Sequence, residues 1–296
     1  MSRLSLPDVA LRAVTSIAVP ETIWAMERCL DEVEFGSVEL LTDQEDIPVS
    51  DARIDLQRIE PIGSREDYSE FMLRGLVNHV EQAHVLVVQW DGFVIDASRW
   101  TDRFLDYDYI GAPWPQFGDG LNVGNGGFSL RSRRLLEMTA QSSFVGRHPE
   151  DVAICRERRG ALERDGIRFA PEPLAEQFSF ERGPRTRSFG FHGLFNFPVV
   201  LAEDELQSRL AQLDPRLLGA RDGADLILGL ARRGDVREAW RLAGRRRDAG
   251  AGKSIERSLL PRLAIASVAG LAGRSSHMKA VSPEAATFRS KESNRP

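Results

Sequence analysis

Three stretches of this 296-residue chain combine residue types and spacing that suit chemistry. Asp91 stands in the segment Gln89-Trp90-Asp91-Gly92, directly after the apolar run Val85 to Val88. The glycine-rich turn Gly124-Asn125-Gly126-Gly127 follows, and then the adjacent acids Glu150 and Asp151. A carboxylate at the end of a buried strand is placed where open α/β sheets bind ligands. The three stretches together indicate a binding or catalytic site.

Each stretch also has an ordinary structural explanation. Asp91 offers a carboxylate oxygen of the kind that Mg²⁺ and Mn²⁺ bind, and this role is favoured over the alternative that it only caps a turn with Gly92. Asp151 is suited to act as a general base toward a hydroxyl, although the residues alone favour an ordinary acidic helix N-terminus. The glycines between residues 118 and 127 permit positive φ and close approach of a ligand to backbone N–H groups, and a tight turn would explain them as well.

The elements before the site follow a regular order. Strands are predicted over residues 11–19, 37–41, 54–59 and 85–88, and helices over 21–33 and 66–82. Val85 to Val88 is a short β-branched run that suits a strand buried on both faces, whereas residues 54–59 alternate like a half-buried strand. Strand, helix, strand, strand, helix, strand is the order of a Rossmann-like α/β half.

The rest of the chain predicts a completed α/β domain and a helical extension. Further strands are expected over residues 128–130 and 167–170, and further helices over 132–139 and 150–158. The domain is predicted to span residues 1–200. An extension over 201–272 contains helices at 203–213, 224–244 with a turn at Gly234, and 254–271. Residues 273–296 are rich in Ser, Lys, Glu and Pro and are predicted to lack order.

Composition and charge limit the class of protein. No apolar run approaches the roughly 20 residues that span a bilayer, and two cysteines without metal or redox spacing favour a cytoplasmic protein without disulfides. Residues 231–296 hold 15 Lys and Arg against 6 Asp and Glu, and the remainder holds 24 against 38. An acidic main domain argues against nucleic acid as its ligand. The basic region suits either peripheral contact with an anionic membrane surface or simple solvation.

Five motifs resemble a family of uncharacterised domains regarded as GT-A-type glycosyltransferase-like. They are QWDGF from Gln89, YIGAPW from Tyr109, GNGGFSLR from Gly124, PEDV from Pro149 and FGFHG from Phe189. The resemblance covers roughly residues 10–200. It implies an α/β fold: a GT-A-like, Rossmann-type mixed sheet flanked by helices, here with a small C-terminal helical extension.

The resemblance also implies roles for the landmark residues. Gln89-Trp90-Asp91 is similar to the metal-binding DxD of GT-A enzymes, with Gln in place of the leading Asp, and the late His192 resembles their second metal ligand. Asp91 and His192 would then hold Mn²⁺ or Mg²⁺. Asp151, with Glu150 beside it, resembles the acidic pair that serves the acceptor, which implies Asp151 as the base of an inverting transfer. Because Gln89 stands where GT-A enzymes have the leading Asp, the site has one carboxylate fewer, which affects its affinity for a metal ion and whether the reaction depends on one.

The donor implied by the resemblance is a nucleotide-diphosphate sugar, and the acceptor is the hydroxyl of a glycan or other molecule. Strand ends and helix starts provide the expected contacts with the donor. These contacts are Thr15, Ser16, Asp43, Tyr68, Gln89, Trp90, Gly124, Asn125, Gly126 and Gly127. Arg131 is expected to pair with phosphate or with a surface acid. Trp90, Trp114 and Phe128 suit stacking on a sugar or base, or packing in the core.

Two function classes follow. The first is a metal-assisted glycosyltransferase. The second is a non-catalytic module on the same scaffold that binds a sugar or a protein, because fold alone does not establish catalysis. A nucleotide-induced stabilisation that requires Mn²⁺ and Asp91 would separate them.

Overall fold

The computed structural model describes residues 3–45, 47, 49, 51–184, 187–250 and 253–280. The chain divides into two compact units, Met1–Leu213 and Asp214–Pro296. The predicted domain boundary at residue 200 stays a prediction, since this division falls one helix later.

The first unit alternates strands and helices. Its strands are β1 Leu4–Val14, β2 Val33–Thr42, β3 Asp55–Arg58, β4 His84–Val88, β5 Gly92–Val94, β6 Tyr109–Gly111, β7 Phe128–Ser132, β8 Ser179–Phe180 and β9 Gly190–His192. Its helices are α1 Val19–Glu32, α2 Arg65–Glu70, α3 Arg133–Ala140, α4 Glu150–Val152, α5 Arg159–Arg164, α6 Glu172–Phe178, α7 Phe197–Val200 and α8 Glu203–Gln212.

Six strands form the main sheet in the order β3-β2-β1-β4-β7-β6. The strands β3, β2, β1 and β4 are parallel, whereas β7 runs antiparallel to both β4 and β6. A parallel half with an antiparallel edge, flanked by helices, is a mixed α/β sheet, so the predicted fold class and the order of its first six elements are confirmed.

Several predicted boundaries were wrong. β1 spans Leu4–Val14, so it begins and ends earlier than the strand predicted over residues 11–19. Its pairing with β2 is interrupted between Leu6 and Ala10, around Pro7, which cannot donate to the ladder. β3 is an exposed edge strand on all four residues, not a half-buried one. The strand predicted over 167–170 is only an isolated bridge from Phe169 to Tyr109.

Two predicted helices contain a wider π-helical turn. α2 continues as a π turn over Phe71–Gly75 and a 3₁₀ turn over Leu76–His79, so this helical segment ends before the predicted residue 82. α4 continues as a π turn over Ala153–Glu157. Such turns alter which side chains face a given neighbour, and they are frequent near functional sites.

The sheet brings the candidate residues to one edge. The carboxyl ends of β1, β2 and β4 and the amino end of the antiparallel β7 all meet there. A second, three-stranded sheet, ordered β5-β9-β8, continues from β4 at the same place. Because Gly92 pairs with His192 in that sheet, the late histidine lies opposite the residues that follow β4.

In the part of the second unit that the structure describes, a 3₁₀ turn over Pro215–Gly219 is followed by the helices α9 Arg221–Arg233, α10 Val236–Asp248 and α11 Lys253–Ala280. α9 ends at Gly234, whose φ of 94° is the left-handed conformation that glycine adopts freely, as the predicted turn requires. Residues 281–296 of the tail that was predicted to lack order lie outside the described residues. No helix in the described ranges is both long enough and apolar enough to cross a bilayer.

Candidate functional site

Asp91 and His192 are in direct contact. Asp91 is 4 % exposed, and its Oδ1 lies 3.3 Å from His192 Nε2. Its Oδ2 accepts a hydrogen bond of 3.1 Å from the backbone N–H of Leu194. Asp91 therefore does cap a turn, at Leu194 rather than at Gly92, and one carboxylate oxygen still faces the imidazole.

Gln89 adds a third polar group to the contact between Asp91 and His192. Its Oε1 lies 3.3 Å from His192 Nε2, and its Nε2 donates a hydrogen bond of 3.0 Å to the hydroxyl of Tyr68. The predicted residues Tyr68, Gln89, Asp91 and His192 are thus brought together by α2, the end of β4 and β9. Tyr68 is half-buried and lies near Glu150, and both desolvation and that charge raise the pKa of its hydroxyl.

The charge of His192 is set by its neighbours. Burial alone would lower the pKa of His192, but the carboxylates of Asp91 and Glu181 outweigh that effect and raise it well above its usual value. The ring is therefore an imidazolium at neutral pH. A cation held at Nε2 would take the place of the proton there.

Gly127 makes room for the imidazole. A Cβ at residue 127 would lie 2.1 Å from His192 Nε2, well inside van der Waals contact. The neighbouring turn is held on β4, because Gln89 N–H donates to the Gly127 carbonyl over 2.9 Å. The glycine at this position is required by the close approach of a side chain.

The rest of the turn uses its backbone donors within the protein. The N–H of Gly126 donates to Asp151 Oδ2 over 3.1 Å, and that of Gly127 donates to Asn125 Oδ1 over 3.0 Å. The left-handed residue here is Asn125, with a φ of 66°, rather than one of its neighbouring glycines. The turn therefore shapes the site and joins it to Asp151.

Asp151 has the properties of a base that works near neutral pH. Burial and the adjacent charge of Glu150 raise its pKa to about 6, although hydrogen bonds from the N–H groups of Gly126 and Val152 oppose the change. Its Oδ1 accepts the Val152 N–H over 2.8 Å. A carboxylate with a pKa close to the working pH is suited to accept a proton.

Glu150 has a different environment from that of Asp151. Its Oε1 lies 3.2 Å from Nη2 of Arg131, and both side chains are buried. Ser69 donates to Glu150 Oε2 over 3.4 Å. The expectation that Arg131 pairs with phosphate or with a surface acid was wrong, because its guanidinium is fully buried and stacks 5.4 Å from the Tyr109 ring centroid.

The donor set around His192 Nε2 fits a divalent cation. Among the described residues, no group of three or more His, Cys, Asp and Glu side chains is arranged to hold a metal. Asp91 Oδ1 and Gln89 Oε1 are each 3.3 Å from Nε2, close to the roughly 3 Å between neighbouring ligands whose metal bonds are about 2.1 Å. Two oxygens and one nitrogen suit Mn²⁺ better than Mg²⁺ and leave positions for phosphate oxygens and water.

Thr15, Ser16 and Asp43 lie along the same sheet edge, after β1 and β2. Thr15 Oγ1 accepts from the N–H of Ala18 over 3.3 Å, and Ser16 Oγ accepts from the N–H of Ile62 over 3.2 Å. Asp43 Oδ1 is buried and has no hydrogen-bond partner among the described residues. The edge position suits donor contacts, but within the described chain these three make no hydrogen bond to the Asp91–His192 pair.

The aromatic residues have different surroundings. Trp90 lines a cavity of about 80 Å³ with Trp24 and Phe197. Trp114 and Phe128 are core residues, 6 % and 0 % exposed. The stacking interpretation is therefore wrong for these two, and packing explains them.

A larger cavity lies beside the acidic pair. Its volume is about 470 Å³, and it is lined by Glu66, Asp67, Ser69, Glu70, Leu73, Gly146, Arg147 and His148. Ser69 joins its wall to the site, since its Oγ lies 2.9 Å from His148 Nδ1 and also contacts Glu150. Ser69, His148 and Glu181 could not be identified from the sequence, because none lies in a motif or at a predicted strand end.

The comparisons with known proteins identify no curated relative. No curated protein matches the sequence. Residues 53–192, a little under half of the chain, match the model of a family described as a protein of unknown function, DUF5672. That range runs from before β3 to His192 and so includes the residues around Asp91, the turn and Asp151.

Solved structures of similar shape are glycosyltransferases. The apo form of the glycosyltransferase GlyE from Streptococcus pneumoniae TIGR4 is 15 % identical to this chain, with a TM-score of 0.36. The match covers 69 % of this chain and 55 % of the GlyE chain. This chain thus covers about half the length of GlyE. The mannosyltransferase PcManGT from Pyrobaculum calidifontis, solved in complex with GDP-Man and Mn²⁺, is 11 % identical to this chain, with a TM-score of 0.41. The match covers 94 % of this chain and 81 % of the PcManGT chain. These values are too low to assign an activity, which rests on the site.

Proposed function

We propose that this protein is a metal-assisted glycosyltransferase that moves a sugar from a nucleotide-diphosphate donor to an acceptor hydroxyl. One observation carries the proposal: residues far apart in the chain, Gln89, Asp91, Asp151 and His192, meet around the turn at Gly126 and Gly127. Direct contacts link them, from the imidazole through the turn to the Asp151 carboxylate.

Each side chain has a defined part in the proposed reaction. Asp91, His192 and the amide oxygen of Gln89 would hold Mn²⁺ or Mg²⁺, which when bound stabilises the negative charge on the departing diphosphate. Asp151 accepts the proton of the acceptor hydroxyl as that oxygen forms a bond to the anomeric carbon. The bond from the anomeric carbon to the diphosphate oxygen breaks, and its electron pair leaves with the nucleoside diphosphate. Attack opposite the leaving group gives inversion.

Glu150 supports this reaction in a different way. Its pairing with Arg131 in a buried position makes it a residue that orients the acidic pair and, by its charge, raises the pKa of Asp151. Thr15, Ser16 and Asp43 are proposed to contact the nucleoside, because they lie at the strand ends beside β4. Asn125 and the three glycines of the turn are proposed to face the sugar side of the donor.

The test is a screen of nucleotide-sugar hydrolysis with Mn²⁺, because many transferases slowly transfer their sugar to water. We expect one donor to be cleaved by the wild type and not by Asp91→Asn, whose amide weakens metal binding. Binding of nucleotide sugars without any cleavage or transfer would instead support a non-catalytic sugar-binding module. Absence of both binding and cleavage would contradict the proposal.

We also propose peripheral contact of the second unit with an anionic membrane. On α11, Ile265 and Val268 are 73 % and 71 % exposed, while Arg257 and Arg262 are exposed on the same helix. Exposed apolar side chains that follow exposed arginines on one helix suit the surface of a bilayer that contains anionic lipid. Wild-type protein should sediment together with vesicles that contain phosphatidylglycerol, whereas a variant with Ile265→Ser and Val268→Ser should stay in the supernatant. Equal binding of the two proteins would contradict the proposal.

A further inference from the structure

The imidazole of His192 has a carboxylate at each of its two nitrogens. Asp91 Oδ1 lies 3.3 Å from Nε2, and Glu181 Oε1 lies 3.3 Å from Nδ1. Glu181 follows β8 and is held in place by Asn196, whose Nδ2 lies 3.0 Å from the Glu181 carbonyl and 2.8 Å from the His192 carbonyl. One amide therefore fixes the backbone of both partners, so the Glu181–His192 contact is a built feature of the fold.

A second side chain competes for the same ring nitrogen. Asn125 Nδ2 lies 3.2 Å from His192 Nδ1, and the Oδ1 of Asn125 is already engaged by the N–H of Gly127. The amide nitrogen can only donate. It can therefore bond to Nδ1 only when Nδ1 carries no proton, whereas Glu181 can bond to Nδ1 only when it does.

These two arrangements have opposite consequences at Nε2. The imidazolium of the metal-free site must lose one of its two protons to bind a cation, and the neutral ring that results carries one proton. When Nδ1 donates to Glu181, the lone pair of Nε2 is free and faces Asp91 and Gln89. When Asn125 donates to Nδ1, the proton is on Nε2 and blocks that position. The choice between the two neighbours decides whether His192 can bind a cation at Nε2.

We propose that Glu181 is a positioning residue that holds His192 with its Nδ1 protonated and its Nε2 directed at the cation position beside Asp91. This inference rests on the proposed metal-assisted function. Carboxylate–histidine–metal arrangements are common, and removal of the outer carboxylate typically lowers metal affinity about 10–100-fold. Glu181 touches neither donor nor acceptor in this assignment and acts only through His192.

The first experiment is calorimetric titration of the full-length protein with Mn²⁺. Glu181→Gln keeps the shape of the side chain, but its amide can donate to Nδ1 and favour the opposite tautomer. We expect Mn²⁺ to bind roughly 10–100-fold more weakly to this variant than to the wild type. Glu172→Gln changes an exposed glutamate in the first turn of α6 and should bind Mn²⁺ like the wild type.

A second experiment reads the ring directly and needs no metal. In long-range ¹H–¹⁵N spectra of histidine-labelled protein, recorded at a pH high enough for the His192 ring to hold only one proton, Nδ1 should be protonated in the wild type and unprotonated in Glu181→Gln. An unprotonated Nδ1 in the wild type, or Mn²⁺ binding within twofold in the variant, would overturn the role of Glu181 and leave the proposed function standing. A wild type that binds no Mn²⁺, with or without nucleotide, would overturn metal assistance, and the spectra would still decide what Glu181 does to the ring.

Discussion

Replacing Asp151 by asparagine tests whether this carboxylate is poised as a base. The substitution keeps the size of the side chain and removes its charge. A pKa of about 6 in the folded protein, against 3.8 ordinarily, means that the folded state holds the proton more tightly than the unfolded state. The stability that this proton contributes is therefore fully present below about pH 3.8 and is lost as the pH rises through 6.

The magnitude follows from the two pKa values. Ionisation of Asp151 costs the folded wild type about 3 kcal/mol at about pH 7.5 and about 1 kcal/mol at about pH 4.5, so the difference is about 2 kcal/mol. Asparagine offers one acceptor where the carboxylate accepts from both Gly126 and Val152. Losing one such bond costs roughly 1–3 kcal/mol. That cost applies at both pH values and cancels in the comparison.

The assay is urea unfolding of both proteins at the two pH values. We expect the stability of Asp151→Asn relative to the wild type to be about 2 kcal/mol more favourable at about pH 7.5 than at about pH 4.5. Asp165→Asn, which removes an exposed carboxylate, is the matched control and should show no such difference. In activity assays, kcat/KM of the wild type should rise with pH through about 6, and Asp151→Asn should be inactive.

An equal effect of Asp151→Asn at the two pH values would refute this reasoning, because the carboxylate would then ionise as it does in the unfolded chain. A kcat/KM that does not change between about pH 5 and about pH 7 would separately contradict its role as the base.

Two further substitutions test how the site is built. Gly127→Ala would place a Cβ 2.1 Å from His192 Nε2, so we expect a loss of roughly 1–3 kcal/mol in urea unfolding and a marked loss of Mn²⁺ affinity by calorimetry. Gly118→Ala, where the added carbon meets open space, should change neither, and an equal effect of the two would contradict the close-approach argument. Arg131→Met leaves Glu150 buried without its partner and should cost roughly 3–5 kcal/mol in urea unfolding, whereas Arg131→Met combined with Glu150→Gln should cost less. Additive losses would show that the two side chains do not act as a pair.

The sequence allowed the main elements of the sheet to be predicted, because their signals are local. Val85 to Val88 forms a buried strand with carboxylate and amide groups directly after it, and the parallel order of β1, β2 and β4 brings their carboxyl ends to one edge. The motifs that resemble GT-A-type domains predicted which residues lie at this edge of the sheet. They did not predict the contacts between these residues.

The errors come from tertiary context. β3 was predicted from its alternation to be half-buried, but it lies at the edge of the sheet and all four of its residues are exposed. Trp90 stands between two site residues in the chain, but it lies in the turn that the Gly92 N–H closes on the Gln89 carbonyl, and its side chain lines a separate cavity with Trp24 and Phe197. Arg131 was expected from the sequence to bind phosphate or a surface acid, but its position on β7 buries it against Glu150 and Tyr109.

Glu181 could not be found from the sequence. It belongs to no motif, it follows a strand of two residues, and its contact with His192 depends on the second sheet, in which β8 pairs with β9. The left-handed conformation of Asn125 was also hidden, because the glycines around it are the usual candidates for positive φ.

Thermal unfolding with UDP or GDP, in the presence and absence of Mn²⁺, tests most directly whether Asp91 and His192 hold a cation for a nucleotide diphosphate. At a nucleotide concentration about 100 times Kd, binding stabilises the folded state by about 2.7 kcal/mol, which raises Tm by roughly 4–6 °C in a chain of this size. We predict that one of the two nucleotides gives this shift, that the shift requires Mn²⁺, and that it disappears in Asp91→Ala. A shift that persists without Mn²⁺ and in Asp91→Ala, or no shift with either nucleotide, would contradict the assignment.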